Sequence, residues 1–181
     1  MVEDAELLEA WAHGDQEAGA TLVERHSRLV YAFFRSKVDD DLDDLIQETW
    51  LACVASRAKF RGDSTFRTYV LGIARNRLYE HFRRQQRARR HIDFDEVSAV
   101  ALGSSPTGRL ARGRRQSALM AGLRNIPVDS QIVLELFYWE DLSGGEIAAV
   151  LGIPENTVRT RVNRARQQLR DRIGSLPEEF S

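Results

Sequence analysis

Apolar residues recur at three- and four-residue intervals along most of the chain. Leu22, Val23, Leu29, Val30, Phe33 and Phe34 draw one amphipathic helix. In 42–54 the set Leu42, Leu45, Ile46, Trp50 and Val54 draws a second stripe, with Asp44, Gln47, Glu48 and Leu51 on the opposite face. In 66–82 Phe66, Tyr69, Val70, Ile73, Ala74, Leu78 and Phe82 do the same, while Arg67, Arg75, Arg77, Arg83 and Arg84 project elsewhere. No alternation of period two marks a strand, so the pattern predicts an all-α fold.

Between about 88 and 114 the periodicity fails around the breaker run Gly103-Ser-Ser-Pro-Thr-Gly108. This reads as a linker of roughly 25 residues that spans on the order of 80 Å when extended, so the flanking parts need not touch. Helical spacing resumes with Leu119, Leu123 and Ile126, then Ile132, Val133, Leu136 and Phe137, then a compact helix pair to about 173. The expected organisation is two small helical domains, 1–90 and 115–181, joined by a flexible linker over 91–114.

The helix pair carries the clearest local code. Ser143 followed by Glu146 is a capping box, Gly152 permits a left-handed turn, and Pro154 suits the next helix start. In the second helix Val158, Val162, Ala165, Leu169 and Ile173 face inward, leaving Arg159, Thr160, Asn163, Arg164 and Arg166 outward. Forked donors and short amides near the N-terminal half suit a helix read into a DNA major groove. A helical hairpin with a solvated arginine face is the plainer reading.

Charge changes the picture because it is segregated. The formal net charge is −1, yet residues 1–50 hold 13 Asp/Glu against 4 Lys/Arg and residues 57–90 hold 11 Lys/Arg against 2 Asp/Glu. Six arginines lie from Arg159 to Arg172, and 91–108 holds only acids, Asp93, Asp95 and Glu96. Of 26 basic residues 24 are arginine, which suits phosphate and guanine contacts or equally reflects a GC-rich genome.

In 60–82, aromatics interleave with arginines beside a Gly-containing loop, as at a site where unstacked bases lie on rings and phosphates follow cations. Phe66, Tyr69 and Phe82 also sit on the apolar stripe, where a core role competes. The single Cys53 excludes a disulfide scaffold and a cysteine-based zinc site and is expected to be a buried thiol. The histidines lack helical metal spacing and are expected at the surface, and Trp11, Trp50 and Trp139 are expected as core or interface anchors. The acidic start and the lack of a long apolar run indicate neither export nor membrane insertion, hence a cytoplasmic protein. No catalytic grouping stands out, so neither an enzyme, a metal nor a cofactor is expected.

Three motifs in order make the chain resemble an RNA polymerase sigma factor of the extracytoplasmic function (ECF) type, within the sigma-70 family. They are Asp44-Leu-Ile-Gln-Glu48; Phe60-Arg-Gly-Asp-Ser-Thr-Phe66 with Ile73-Ala-Arg-Asn76; and Leu142 to Gly152 with Thr157 to Arg166. The resemblance covers about residues 5–173. It implies that Asp44, Gln47 and Glu48 bind the clamp helices of core RNA polymerase. It implies that Phe60, Ser64 and Asn76 line a pocket for a flipped base of the −10 element, with Arg61, Arg67 and Arg75 on the same DNA, and that Arg159, Thr160, Asn163, Arg164 and Arg166 face the −35 duplex.

By the same resemblance 1–90 is a region 2-like domain and 115–181 a region 4-like domain. The acids of 91–114 thread toward the active-site and RNA-exit channel, and an anti-sigma protein is an expected partner. Gly19, Gly144, Gly145 and Glu80 depart from the family's pattern, the last at a position that often faces promoter DNA. The alternative is a self-sufficient helix-turn-helix regulator whose N-terminal domain senses or dimerises; a purely protein-binding adaptor leaves the helix-turn-helix and the arginine run unexplained.

Overall fold

Helix starts in this chain are written locally. The computed structural model describes residues 3–38, 41–60, 64–85 and 114–174, and every element among them is helical. Helix α1 (Asp4–Ala12) opens on a capping box between Glu3 and Glu6, and α2 (Gln16–Arg35) opens on Asp15, whose carboxylate accepts from the Glu17 and Ala18 amides at 2.9 and 3.1 Å. Helix α3 (Leu42–Ser56) runs into a 3-10 turn, Arg57–Lys59, and α4 (Phe66–Gln85) follows. The second group comprises α5 (Arg114–Arg124), α6 (Val128–Tyr138), α7 (Gly144–Leu151) and α8 (Glu155–Gly174).

Helix α1 folds back on α2 because Gly19 leaves a gap for the Trp11 indole; a Cβ at Gly19 would overlap that ring. The glycine is thus matched by a tryptophan from the preceding helix, whose ring fills the space a side chain would need. Helix α4 is the hub. Its Phe66, Val70, Ala74, Leu78 and Phe82 are buried as their spacing predicts, but Thr68, Leu71, Tyr79 and His81 are buried too. Helices α2 and α3 cover one side and α7 another, so few faces remain for solvent.

Two expectations fail here. Val54 is 42% exposed, because the buried line of α3 is Leu45, Thr49 and Cys53 at strict four-residue spacing, with Thr49 tied to the Leu45 carbonyl at 2.7 Å. Of the two roles expected of Trp139, core or interface anchor, its 48% exposure at the end of α6 leaves the second. His81 is buried rather than at the surface, since α4 is covered on more faces than its stripe suggests. The breaker run 103–108 and the acids Asp93, Asp95 and Glu96 lie outside the described residues.

The two helical groups meet. Helix α7 packs along α4, and α6 reaches the end of α2, where Gln131 Nε2 donates to the Ser36 carbonyl at 3.3 Å. The chain from 86 to 113 therefore joins two bodies already in contact.

Candidate nucleic-acid and protein interfaces

The acidic face of α3 is a presented surface. Asp44 and Gln47 are exposed, Glu48 is half-buried, and the same face continues to Leu51, 61% exposed. Arg84 of α4 donates through Nη2 to both Glu48 oxygens at 3.0 Å. Between α3 and α4 lies a cleft of about 320 Å³ lined by Asp41, Asp44, Leu45, Glu48, His81, Arg84 and Gln85. Burial pushes the His81 imidazole below its usual range, against the opposing pull of Asp41 at 3.8 Å. A face of carboxylates with an exposed leucine beside them suits a partner surface that is both cationic and apolar.

The residues expected at the −10 site divide between two faces of α4. Phe60 packs edge-to-face on Tyr69 with centroids 4.9 Å apart, and the Tyr69 hydroxyl meets Ser56 Oγ at 2.5 Å. Asn76 lies seven residues beyond Tyr69, two turns along the same face, and is exposed. Ser64 is half-buried just before the helix. Phe60 therefore packs on the face of α4 that carries Asn76 two turns further on. Arg67 points away from it and binds Glu140 of the second group, Nη2 to Oε2 at 2.5 Å. Arg75 lies over the Tyr79 ring at 4.5 Å, and Arg61 lies outside the described residues.

The helix-turn-helix forms as its code predicts. Ser143 Oγ accepts from the Glu146 amide at 3.3 Å, and Glu146 Oε2 accepts from the Ser143 amide at 2.9 Å and its hydroxyl at 2.7 Å. These bonds hold the Glu146 carboxyl below its ordinary 4.5. Gly152 takes φ +64°, the left-handed turn between the helices. In α8 Val158, Val162 and Ala165 are buried, while Arg159, Thr160, Asn163 and Arg164 are exposed. Arg166 differs from its neighbours: its guanidinium sits 5.4 and 5.2 Å from the Phe137 and Tyr138 rings, so it braces α8 against α6.

Sequence reasoning missed one cluster. Lys37, fully buried, donates to the Phe33 carbonyl at 2.6 Å, to Ser36 Oγ at 3.0 Å and to the Glu135 carboxylate, while Gln131 Nε2 donates to Glu135 Oε1 at 2.9 Å. A signal existed: Glu135 is a lone charge inside the run Ile132-Val-Leu-Glu-Leu-Phe137.

An acidic face on α3, a ring-lined α4 and a capped helix-turn-helix fit a sigma-70 type architecture, and comparison agrees. Residues 22–88 match the family model for Sigma-70 region 2 and residues 116–169 that for Sigma-70, region 4. The chain belongs to the sigma-70 family. Within it the chain is an ECF-type alternative sigma factor, similar along its length to the ECF RNA polymerase sigma-E factors of Escherichia coli (strain K12), 28% identical over 96% of this chain and 95% of that one, and Haemophilus influenzae, 27% identical over 96% of each. Among solved structures CnrH, in complex with the cytosolic domain of CnrY, superposes with TM-score 0.71 at 26% identity over 96% of this chain and 99% of that one. RpoE from Bartonella quintana, crystallised with the anti-sigma factor NepR, shares the fold at TM-score 0.64 and 21% identity, over 86% of this chain and 96% of that one. No described helix is long and apolar enough to cross a membrane.

Proposed function

We propose that this factor docks on core RNA polymerase through Asp44, Gln47 and Glu48, extended by Leu51, and reads promoter DNA with both helical groups. The division into 1–90, 91–114 and 115–181 belongs to this reading, with the first domain engaging core and the −10 strand and the third the −35 duplex. Arg159, Thr160, Asn163 and Arg164 enter the −35 groove, and Arg166 fixes the angle of α8. Phe60, Ser64 and Asn76 capture a flipped base, and a base leaving the stack costs a few kcal/mol, which ring stacking and an amide hydrogen bond offset. Arg61, Arg67 and Arg75 serve the strand's phosphates.

The carrying observation is the capped helix-turn-helix whose outward face exposes Arg159, Thr160, Asn163 and Arg164 together. The factor works by binding and leaves the chemistry of RNA synthesis to polymerase, which places it with the chromosome in the cytoplasm. A wrapping anti-sigma protein is the expected inhibitor, supported by the CnrH relative solved with the cytosolic domain of CnrY.

The test is reconstitution. Core polymerase plus this factor should initiate at a defined set of promoters, read by sequencing transcripts after overexpression, with permanganate-reactive thymines at the −10 element. Phe60→Ala and Asn76→Ala should keep −35-dependent closed-complex formation and slow opening, on pre-melted as well as duplex templates. Normal opening by both variants removes the base-capture assignment. A protein that shifts duplex DNA alone and never comigrates with core polymerase is a self-sufficient regulator instead.

A further inference from the structure

Helix α7 opens on two glycines, Gly144 and Gly145, and glycine weakens a helix because ordering costs its backbone more freedom than any other residue's. The structure shows what uses the space they leave. A Cβ added at Gly144 would lie 3.3 Å from Glu155 Oε1, and one added at Gly145 would lie 3.7 Å from Glu155 Oε2. The Glu155 side chain therefore reaches back from the first turn of α8 and rests over the bare start of α7. There it is exposed, and no hydrogen bond or ion pair joins it to any described residue, Arg159 one turn further on included.

Glu155, Arg159 and Asn163 follow at four-residue spacing on one face of α8, and Glu155 stands at the end of the helix that leads into a groove. On a face that meets phosphates an unpaired acid is repelled unless the ligand offers it a donor. In the major groove the donors on base edges are the amino groups of cytosine and adenine. Adenine sets its N7 acceptor beside its amino group, and that lone pair opposes a carboxylate; cytosine presents the amino group alone.

We infer that Glu155 is a specificity-determining residue of the −35 contact: its carboxylate accepts a hydrogen bond from N4 of a cytosine, and Gly144 and Gly145 are positioning residues that leave it room. The inference rests on the proposed function and deepens it by naming a class of ligand, promoters with a cytosine at the position read by the first turn of α8. Selection works by repulsion as much as by attraction. Guanine or thymine at that position offers only acceptors and leaves the acid unpaired in the field of the phosphates. An acid in the first turn also suits the dipole of α8. That role alone would be read in the melting temperature and not in base preference.

The experiment uses the full-length factor bound to core RNA polymerase, selecting from promoter duplexes randomised across the −35 element. The unmutated factor should recover cytosine at one position with a preference of about tenfold. Glu155→Gln should move that position, and no other, from cytosine to adenine, because an amide side chain pairs with adenine N6 and N7. Glu155→Ala should flatten the position and bind off-target duplex more tightly. Gly144→Ala should weaken the cytosine preference while holding or raising the melting temperature, since the added methyl favours the helix and crowds the carboxylate. Combined with Glu155→Ala, it should change nothing further. An unchanged profile in Glu155→Gln and Glu155→Ala, while Arg159→Ala or Arg164→Ala still alters it, overturns this assignment and leaves the proposed function standing. A preference for any base but cytosine at the position that Glu155 controls overturns it as well, and an unaltered profile in Gly144→Ala removes the positioning role of the glycines. If no variant at Glu155, Arg159 or Arg164 alters the profile, α8 does not read the −35 element and the proposed function falls.

Discussion

Helices α4 and α8 are each 20 residues long and both rich in arginine, yet they use the charge differently. Helix α4 buries nine side chains and turns its cations to partners within the protein: Arg67 to Glu140, Arg75 to the Tyr79 ring, Arg77 to Glu80 and Arg84 to Glu48. Helix α8 buries only three, Val158, Val162 and Ala165, and leaves Arg159 and Arg164 in solvent. Helix α4 reaches acids on neighbouring elements through Arg67 and Arg84, and α8 does so through Arg161, which donates to Asp129 of α6 at 3.0 Å, while Arg159 and Arg164 face water. Similar arginine content, five in α4 and six in α8, therefore gives one helix whose cations are engaged within the protein and another that keeps Arg159 and Arg164 exposed to an incoming ligand.

The largest expected effect is on stability and falls on α4. Leu78→Ala, at a fully buried site, should destabilise by about 2–5 kcal/mol, whereas Leu169→Ala in α8, only partly buried, should cost clearly less. Chemical denaturation of both variants checks the contrast; equal losses would show that α8 is as deeply anchored as α4.

On DNA the ranking reverses. Loss of Arg159 or Arg164 should weaken −35 binding by about 1–3 kcal/mol, with relaxed preference at one base if the contact is to guanine and a uniform loss if to phosphate. A promoter library bound by Arg159→Ala and Arg164→Ala separates the two, and an unchanged profile in both would end the groove-reading assignment.

A smaller effect belongs to α3. Replacing Asp44 and Gln47 with Ala should lower core-polymerase affinity about tenfold, the value of one charge-assisted hydrogen bond, while exposed carboxylates contribute little to folding. Thermal melts and polymerase titration should diverge; unaltered affinity would move the docking face elsewhere.

The smallest effect is a pH slope. The folded state holds His81 below its usual 6.5 because burial disfavours the charged imidazole. That contribution is complete above 6.5 and is lost as pH falls through the folded value, since the unfolded chain takes up the proton first. His81→Asn should flatten the fall in melting temperature as pH drops below 6.5.

Much of the fold was legible because its helices are amphipathic or locally capped. Ser143, Glu146 and Gly152 announce α7 and its turn through chemistry within four residues of each helix end, and the structure places them as read. The stripe in α3 was misjudged by one position: Thr49, buried through its own backbone bond, belongs to the core line and Val54 does not. His81 and the Lys37–Glu135 pair were hidden for another reason. Each depends on elements distant in sequence, and periodicity within one helix carries no information about how many neighbours will cover it. The same holds for Arg67, whose spacing places it on α4 but says nothing of Glu140 opposite.

If the α3 face docks on polymerase as proposed, the shared hydrogen bond from Arg84 to Glu48 changes how salt acts on that docking. One carboxylate of the acidic face already carries an internal cation, so a polymerase cation that takes Glu48 displaces Arg84 rather than a solvent ion. Docking would then release fewer free ions than the number of acids suggests and return a guanidinium to the surface of α4. Assembly of the proposed kind would thereby recharge α4 by an exchange of counterions within the protein.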